Sequence, residues 1–158
     1  MDKPKEELKQ EKEDIFINGD GTATYFIREE SDIMGTVSGP FQFKCILTPM
    51  DQLLAGKEYK NLIGQNIAES AENDRFLAWS LSQLRYRILK SPPFWTSAPE
   101  YPGNIDDQNI IAIILDKAIT SEKLYKQQLK QRKEEALTKA SDALKAMQEA
   151  SNPKPELE

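Results

Sequence analysis

Few residues in this chain are of the types that carry out chemistry. The sequence has no histidine, which is the commonest general base and the commonest metal ligand in proteins. Its nearest approach to a carboxylate cluster is Glu69, Glu72 and Asp74, which stand where the positive end of a helix dipole favours carboxylates. Neither a phosphate-binding glycine loop nor a metal-ligand spacing accompanies them. We therefore predict no catalytic residues, no metal site and no cofactor.

A second cluster imitates a calcium-binding loop. Asn18, Asp20, Thr22 and Glu29 occupy positions one, three, five and twelve of such a loop. The glycine required at position six is replaced by Ala23, and the flanking residues favour strands rather than helices. We interpret the segment as a tight turn between two strands, because Asn-Gly and Asp-Gly pairs tolerate the positive φ angles that such turns need.

The single cysteine belongs to a predicted strand. Every second residue from 41 to 47 is apolar, which is the period of a strand with one buried face. This pattern places Cys45 in the interior, as a small apolar side chain rather than a reactive thiol. The β-rich runs at 14–18 and 22–28 predict a hairpin, whereas 31–39 is predicted to be a loop.

Three helices are predicted to follow. Thr48 should cap the first, which runs from Pro49 to Ile63. Its residues Met50, Leu53 and Leu54 are expected to face inward.

The second helix opens at Ser70 or Asn73 and continues through Leu89, and the Pro92-Pro93 pair stops the chain from remaining helical. We predict that Asn104 caps the third helix, with Asp106 and Asp107 in its first turn. Adjacent carboxylates on a helix point apart, so capping explains this pair better than catalysis does.

Charge and hydropathy restrict the class of partner. The net charge of −5 has the wrong sign for a protein that neutralises nucleic-acid phosphates, so we predict no nucleic-acid partner. No window approaches the ~18 consecutive apolar residues that cross a bilayer, so we predict no membrane partner. The first thirty residues lack the pattern of a signal peptide, and one cysteine cannot form an internal disulfide, which together indicate a cytoplasmic location.

These elements predict an α+β fold in which helix predominates: a small N-terminal antiparallel β element followed by a three-helix core and a C-terminal helical extension. The predicted domains are a charged flexible arm at 1–13, a single globular domain at 14–127 and a charged helical extension and tail at 128–158. Within the globular domain, the β element occupies 14–48 and the helical core 49–127. In the extension, Leu137, Ala140, Leu144 and Met147 have coiled-coil spacing, so a partner helix or another copy of the chain would cover them.

Several short segments between Gly39 and Tyr125 carry a family resemblance. They are Gly-Pro-Phe-Gln-Phe-Lys-Cys-Ile-Leu-Thr-Pro at 39–49, Leu-Ile-Gly at 62–64, Leu-Ser-Gln-Leu-Arg-Tyr-Arg-Ile at 81–88, Pro-Pro-Phe-Trp at 92–95 and Gly-Asn-Ile-Asp-Asp at 103–107. In this order they resemble the tail assembly chaperones of long-tailed, siphovirus-like bacteriophages. The resemblance implies a mainly helical, non-enzymatic protein of the host cytoplasm. Such a protein binds the tape-measure protein and keeps it soluble until the tail tube polymerises around it.

The segments before Gly39 and after Tyr125 lie outside this resemblance. They leave open a second hypothesis, a virion structural protein such as a tail, connector or capsid-associated subunit that acts through oligomeric contacts.

We expect partner binding through the second and third helices and the aromatic pair after the prolines. The candidate protein-binding residues are Phe76, Trp79, Leu84, Tyr86, Phe94, Trp95, Ile110 and Ile114. Phe94 and Trp95 follow a stiff Pro-Pro pair, which suits either docking on the core or anchoring a partner, and we favour docking. We interpret the arginines around Tyr86 as a solvated flank or a protein-binding edge rather than a nucleic-acid surface.

Overall fold

The structure, a computed structural model, describes residues 14–64, 71–96 and 105–151. Within these ranges the elements follow the order β1 (Ile15–Ile17), β2 (Thr22–Ser31), β3 (Gly35–Lys44), α1 (Pro49–Ile63), α2 (Glu72–Arg87), β4 (Ile88–Lys90), α3 (Pro93–Thr96) and α4 (Gln108–Ser151). This confirms the predicted mainly helical α+β fold. The predicted arm at 1–13, the Ser70 and Asn104 caps and the tail beyond Ser151 lie outside the described residues. The chain divides into two compact units, of which the first ends at Lys123 and the second begins at Leu124.

The four strands form one antiparallel sheet in the order β1-β2-β3-β4. Its register aligns Ile15 with Tyr25, and Tyr25 with Phe41, so that a buried row crosses three strands. Alternate residues point to the opposite face of a sheet, and there Phe16 and Phe26 are exposed. The sheet therefore has one core face and one open face.

The predicted loop at 31–39 is wrong, because β3 begins at Gly35 and pairs with β2 along its length. Only the three residues between Ser31 and Gly35 form the turn. The Ser31 hydroxyl accepts hydrogen bonds from the amides of Ile33 and Met34, and Gly35 adopts a φ of +76°. Pairing with β2 imposes the strand on a sequence whose glycines, serine and proline carry little β preference.

Helix α1 has the predicted bounds and the predicted capping box. The Thr48 hydroxyl accepts from the Asp51 amide, and the Asp51 carboxylate accepts from the Thr48 amide. Lys44 Nζ lies 2.7 Å from the same carboxylate. The inward orientation of Met50, Leu53 and Leu54 is wrong: all three are exposed, and Ala55 is the buried residue of α1.

Helix α2 ends at Arg87, two residues before the predicted end, because Ile88 and Leu89 belong to β4. β4 pairs with β3, with a register shift between Gln42 and Phe43. Pro92 then packs against Gly39, where a Cβ atom would meet the proline Cβ at 2.4 Å. Residues 88–90 therefore form backbone hydrogen bonds with β3, which they could not form if α2 continued through them. Ala71 precedes the first turn of α2 without a side-chain hydrogen bond, and Asn73, one of the two predicted caps, lies inside the helix.

Aromatic rings fill the centre of the first unit. Phe41 stacks on Phe43 at 5.8 Å between ring centroids, and Phe94 and Trp95 meet Phe41 edge-on at 5.9 and 5.8 Å. Trp95 is buried and Phe94 half-buried, which confirms docking on the core. α4 contributes buried residues to this unit, and Lys117 Nζ lies 5.6 Å from the centroid of the Tyr25 ring.

The start of α4 differs from the prediction. Asp106 and Asp107 precede the helix, which begins at Gln108. The Asp107 carboxylate accepts hydrogen bonds from the Asn109 amide at 2.9 Å and from the Ser31 hydroxyl at 2.6 Å. Asp107 thus performs the capping role and ties the beginning of α4 to the end of β2.

Candidate protein-binding surface

Helices α1 and α2 pack against each other and are joined by polar contacts along one side. Arg85 Nη1 lies 2.6 Å from Glu58 Oε1, and the Tyr86 hydroxyl donates a longer hydrogen bond, 3.4 Å, to Glu58 Oε2. Ala55 is the buried residue of α1, and the buried residues of α2 are Ala78, Ser80, Ser82, Leu84 and Arg87. Several larger apolar residues of the two helices are left exposed.

Six large apolar side chains of α1 and α2 are exposed, and we call them the hairpin surface: Met50, Leu53, Leu54 and Leu62 on α1, with Phe76 and Trp79 on α2. Residues three and four apart are neighbours on a helix, so Met50, Leu53 and Leu54 form one group and Phe76 and Trp79 another. Leu53 is 68% exposed and Trp79 40%. Exposed apolar groups of this kind mark interaction sites more often than single exposed residues do.

A cavity of about 450 Å³ lies between the end of α1 and the first turns of α2. Its volume falls within the range of pockets that hold ligands or large side chains. Among the described residues that line it, Asp74 is the only charged one, and the others are aliphatic: Leu62, Ile63, Ala71, Leu77, Ala78 and Leu81. The cavity therefore has room for an apolar side chain beside one carboxylate.

The sequence-predicted binding residues separate into two sets. Phe76 and Trp79 are exposed on the same side of α2, and Tyr86 and Phe94 are half-buried. The other four are core residues, because their side chains pack inside the first unit where a partner cannot reach them: Leu84, Trp95, Ile110 and Ile114. The predicted third helix corresponds to the start of α4, and its apolar face is packed in the core. Its assignment as a binding surface is therefore wrong.

Met50, Leu53 and Leu54 were not predicted as surface residues. Their spacing is that of an ordinary buried stripe, and periodicity alone does not say which stripe of a helix meets its neighbour. The signal that could have found them is Ala55 beside Glu58, since a small residue and a charged residue that pairs across helices indicate the packed side.

The surroundings of Cys45, Asp51 and Arg87 give these ionisable groups structural roles. Burial raises the pKa of the Cys45 thiol to about 11, which makes it a poor nucleophile at neutral pH. The hydrogen bond from Lys44, together with the Thr48 amide, lowers the pKa of Asp51. Arg87 Nη1 lies 2.7 Å from Glu122 Oε2, so this arginine, like Arg85, is paired with a carboxylate.

Metal-binding clusters and membrane-spanning helices are both absent from the described ranges. No group of three or more Cys, Asp or Glu side chains there is arranged to hold a metal ion. None of the helices in those ranges combines the length and apolar character needed to cross a lipid bilayer.

Comparison with family models, with curated proteins and with solved structures finds no match to this chain. Function is therefore inferred from the surface of the molecule and from the short sequence segments described above.

Proposed function

We propose that this protein is a tail assembly chaperone of a siphovirus-like bacteriophage. It binds apolar helical segments of the tape-measure protein in the host cytoplasm and keeps them soluble until the tail tube polymerises. The observation that carries the proposal is the hairpin surface, because six large apolar side chains are exposed on two helices of a folded unit. The short segments at 39–107 that resemble this family supply the identity of the client.

The chemistry of the hairpin surface suits a helical client. An amphipathic helix is recognised through apolar anchors at i, i+3, i+4 and i+7, and Met50, Leu53 and Leu54 present the complementary spacing. The cavity beside Leu62 has room for a large apolar side chain of the client. Before the tube encloses it, a long helical protein exposes apolar stripes that aggregate unless they are covered.

The expected affinity is moderate. Burying a large apolar side chain completely contributes about 1.5–3 kcal/mol, and those of the hairpin surface are already partly buried. The exposed fractions of the six side chains add up to about three whole side chains, so covering them contributes about 4.5–9 kcal/mol, against an association cost of about 4–15 kcal/mol. The net binding free energy is therefore at most about 5 kcal/mol, and binding is reversible, as a chaperone that releases its client requires.

Co-expression with the cognate tape-measure protein tests the proposal. The double variant Met50→Asp with Leu53→Asp places two charges on the hairpin surface, and Gln52→Asp with Asn61→Asp places the same two charges at exposed polar positions of the same helix. The client should remain soluble with the wild type and with the control, and precipitate with the first variant. Equal solubility with both variants would contradict the proposal.

The second candidate is a virion structural protein, and the open face of the sheet favours it. Phe16 and Phe26 are exposed there, outside the hairpin surface, and they could meet a neighbouring subunit. Mass spectrometry of finished particles beside infected-cell lysate separates the two functions. A chaperone is found only in the lysate, whereas a structural subunit is present in the particles at stoichiometric abundance.

A further inference from the structure

The second half of α4 carries an apolar stripe that no described residue covers. Every residue from 131 to 151 is exposed, and Leu137, Leu144 and Met147 are 63%, 60% and 69% exposed. With Ala140 they recur at intervals of three, four and three, which is the spacing of a coiled-coil seam. Most of the stability of a protein helix comes from packing its apolar face. A helix that is exposed on all sides and carries such a face is therefore incomplete alone.

The positions beside this seam are compatible with a second identical helix. In most coiled coils the flanking e and g positions carry charges that select one partner and repel others. Here the g positions are alanines, which widen the apolar stripe and allow close approach, and only one of three e positions is charged. With Leu137 and Leu144 at a, the g residues are Ala136, Ala143 and Ala150, and the e residues are Glu134, Ser141 and Gln148.

Net charge does not oppose pairing with a second copy. Between residues 136 and 151 the two basic residues, Lys139 and Lys145, are balanced by the two acidic residues, Asp142 and Glu149. Two identical segments without net charge do not repel each other.

Side-chain volume favours an antiparallel arrangement of the two helices. In an antiparallel pair centred near residue 142, Ala140 faces Leu144 of the second copy, and Leu137 faces Met147 of the second copy. Every layer then contains at least one large side chain. A parallel pair would place Ala140 against Ala140 and leave a void between two leucine layers, and such voids destabilise packed interfaces.

We propose that residues 136–151 form an antiparallel two-helix interface with a second copy of this chain. The inference is independent of the proposed function, since the hairpin surface takes no part in it. The seam covers about two heptads, which are too few for a tight coiled coil. The dimer is therefore expected to dissociate in the micromolar range and to depend on concentration.

Analytical ultracentrifugation of the full chain over a wide concentration range tests the interface. Leu137→Glu places a charge in the seam, and Thr138→Glu places the same charge one residue along, outside it. The wild type and Thr138→Glu should change from monomer to dimer as concentration rises. Leu137→Glu should raise the dimer dissociation constant at least about tenfold.

The orientation is tested by single cysteines and air oxidation. Ala143→Cys, at g, lies near the centre of an antiparallel pair and should form a disulfide with the same cysteine of the second copy. Met147→Cys, at d, should do so only in a parallel pair. The wild-type chain is the control, because Cys45 is buried and should not cross-link.

Four results would overturn the proposal. The first is a wild type that stays monomeric at the highest concentration, as it would if a different polypeptide covers the stripe. The second is equal dimerisation of the two glutamate variants, and the third is an assembly larger than a dimer. The fourth is preferential cross-linking of Met147→Cys.

Discussion

Truncating Leu53 to alanine should separate client binding from folding stability. Leu53 is 68% exposed, so folding withdraws only about one third of its side chain from water. Burying a whole leucine side chain contributes about 1.5–3 kcal/mol, so the buried third contributes about 0.5–1 kcal/mol to folding. If a client covers the rest, Leu53→Ala removes about 1–2 kcal/mol of binding, which weakens the Kd roughly 5- to 30-fold.

Two control variants show what a buried residue and an exposed polar residue contribute. Leu84 is fully buried on α2, and Leu84→Ala should cost about 2–5 kcal/mol of folding free energy because it leaves a cavity in the core. Gln52 is exposed and polar on the same helix as Leu53, and Gln52→Ala should change neither stability nor affinity measurably.

Stability is measured by urea denaturation followed by tryptophan fluorescence. Affinity is measured by the anisotropy of a labelled amphipathic peptide taken from the tape-measure protein. A stability loss above about 2 kcal/mol for Leu53→Ala would mean that this face of α1 is packed rather than exposed. A Kd equal to that of Gln52→Ala would mean that the hairpin surface does not contact the client.

Three further predictions test the fold. Gly39 has a φ of +146° and faces Pro92, so Gly39→Ala should lower the free energy of unfolding in urea by about 2–4 kcal/mol. Gly35 has a φ of +76° with open space around it, so Gly35→Ala should lower it by only about 1–2 kcal/mol. Equal losses would refute the close packing of Pro92. Because burial raises the pKa of the Cys45 thiol to about 11, a disulfide reagent at neutral pH should label it rapidly in urea and slowly in the native protein, and fast native labelling would contradict its burial. Burial also raises the pKa of Tyr25 from its ordinary value of 10.0 to about 12; its neutral form is favoured by folding, so this contribution to stability is complete below pH 10 and is lost as the pH rises towards 12. Ultraviolet titration should show a tyrosine step near pH 12, and Tyr25→Phe should remove that step.

Local signals predicted the elements whose cause is local. The capping box of Thr48 and Asp51 fixed the start of α1, and the Asn18-to-Gly21 turn fixed the first hairpin, because in each case the stabilising hydrogen bonds join residues close in sequence. The strand at Gly35–Lys44 and the short strand at Ile88–Lys90 were missed in whole or in part. The missed half of β3 pairs with β2 across the turn after Ser31, and β4 pairs with β3, which is distant in sequence. In both cases pairing overrides weak or contrary propensities.

The candidate site was predicted only in part for a related reason. Phe76 and Trp79 were identified, but Ile110 and Ile114 have the same helical periodicity and lie in the core. Periodicity shows that a helix has an apolar side, whereas burial depends on which neighbour the chain brings to that side. Met50, Leu53 and Leu54 are the converse case, an apolar group that the fold leaves uncovered.

Polar and apolar groups are treated differently by this fold, and the difference indicates what the molecule is built to do. Among the described residues, no buried side-chain nitrogen or oxygen lacks a hydrogen-bond partner, and the carboxylates of Asp51, Asp107 and Glu122 each serve a cap or an ion pair. Large apolar side chains, by contrast, are in part left exposed to solvent. Leu53 on the first unit and Leu144 on the second are both mostly exposed. The two residues belong to different compact units, and we propose client binding at the first and self-association at the second. If both occur, each dimer carries two client-binding surfaces, and its avidity for a long repetitive client exceeds that of either copy alone. Leu137→Glu should then weaken retention of a long tape-measure protein while leaving the affinity for a single peptide unchanged.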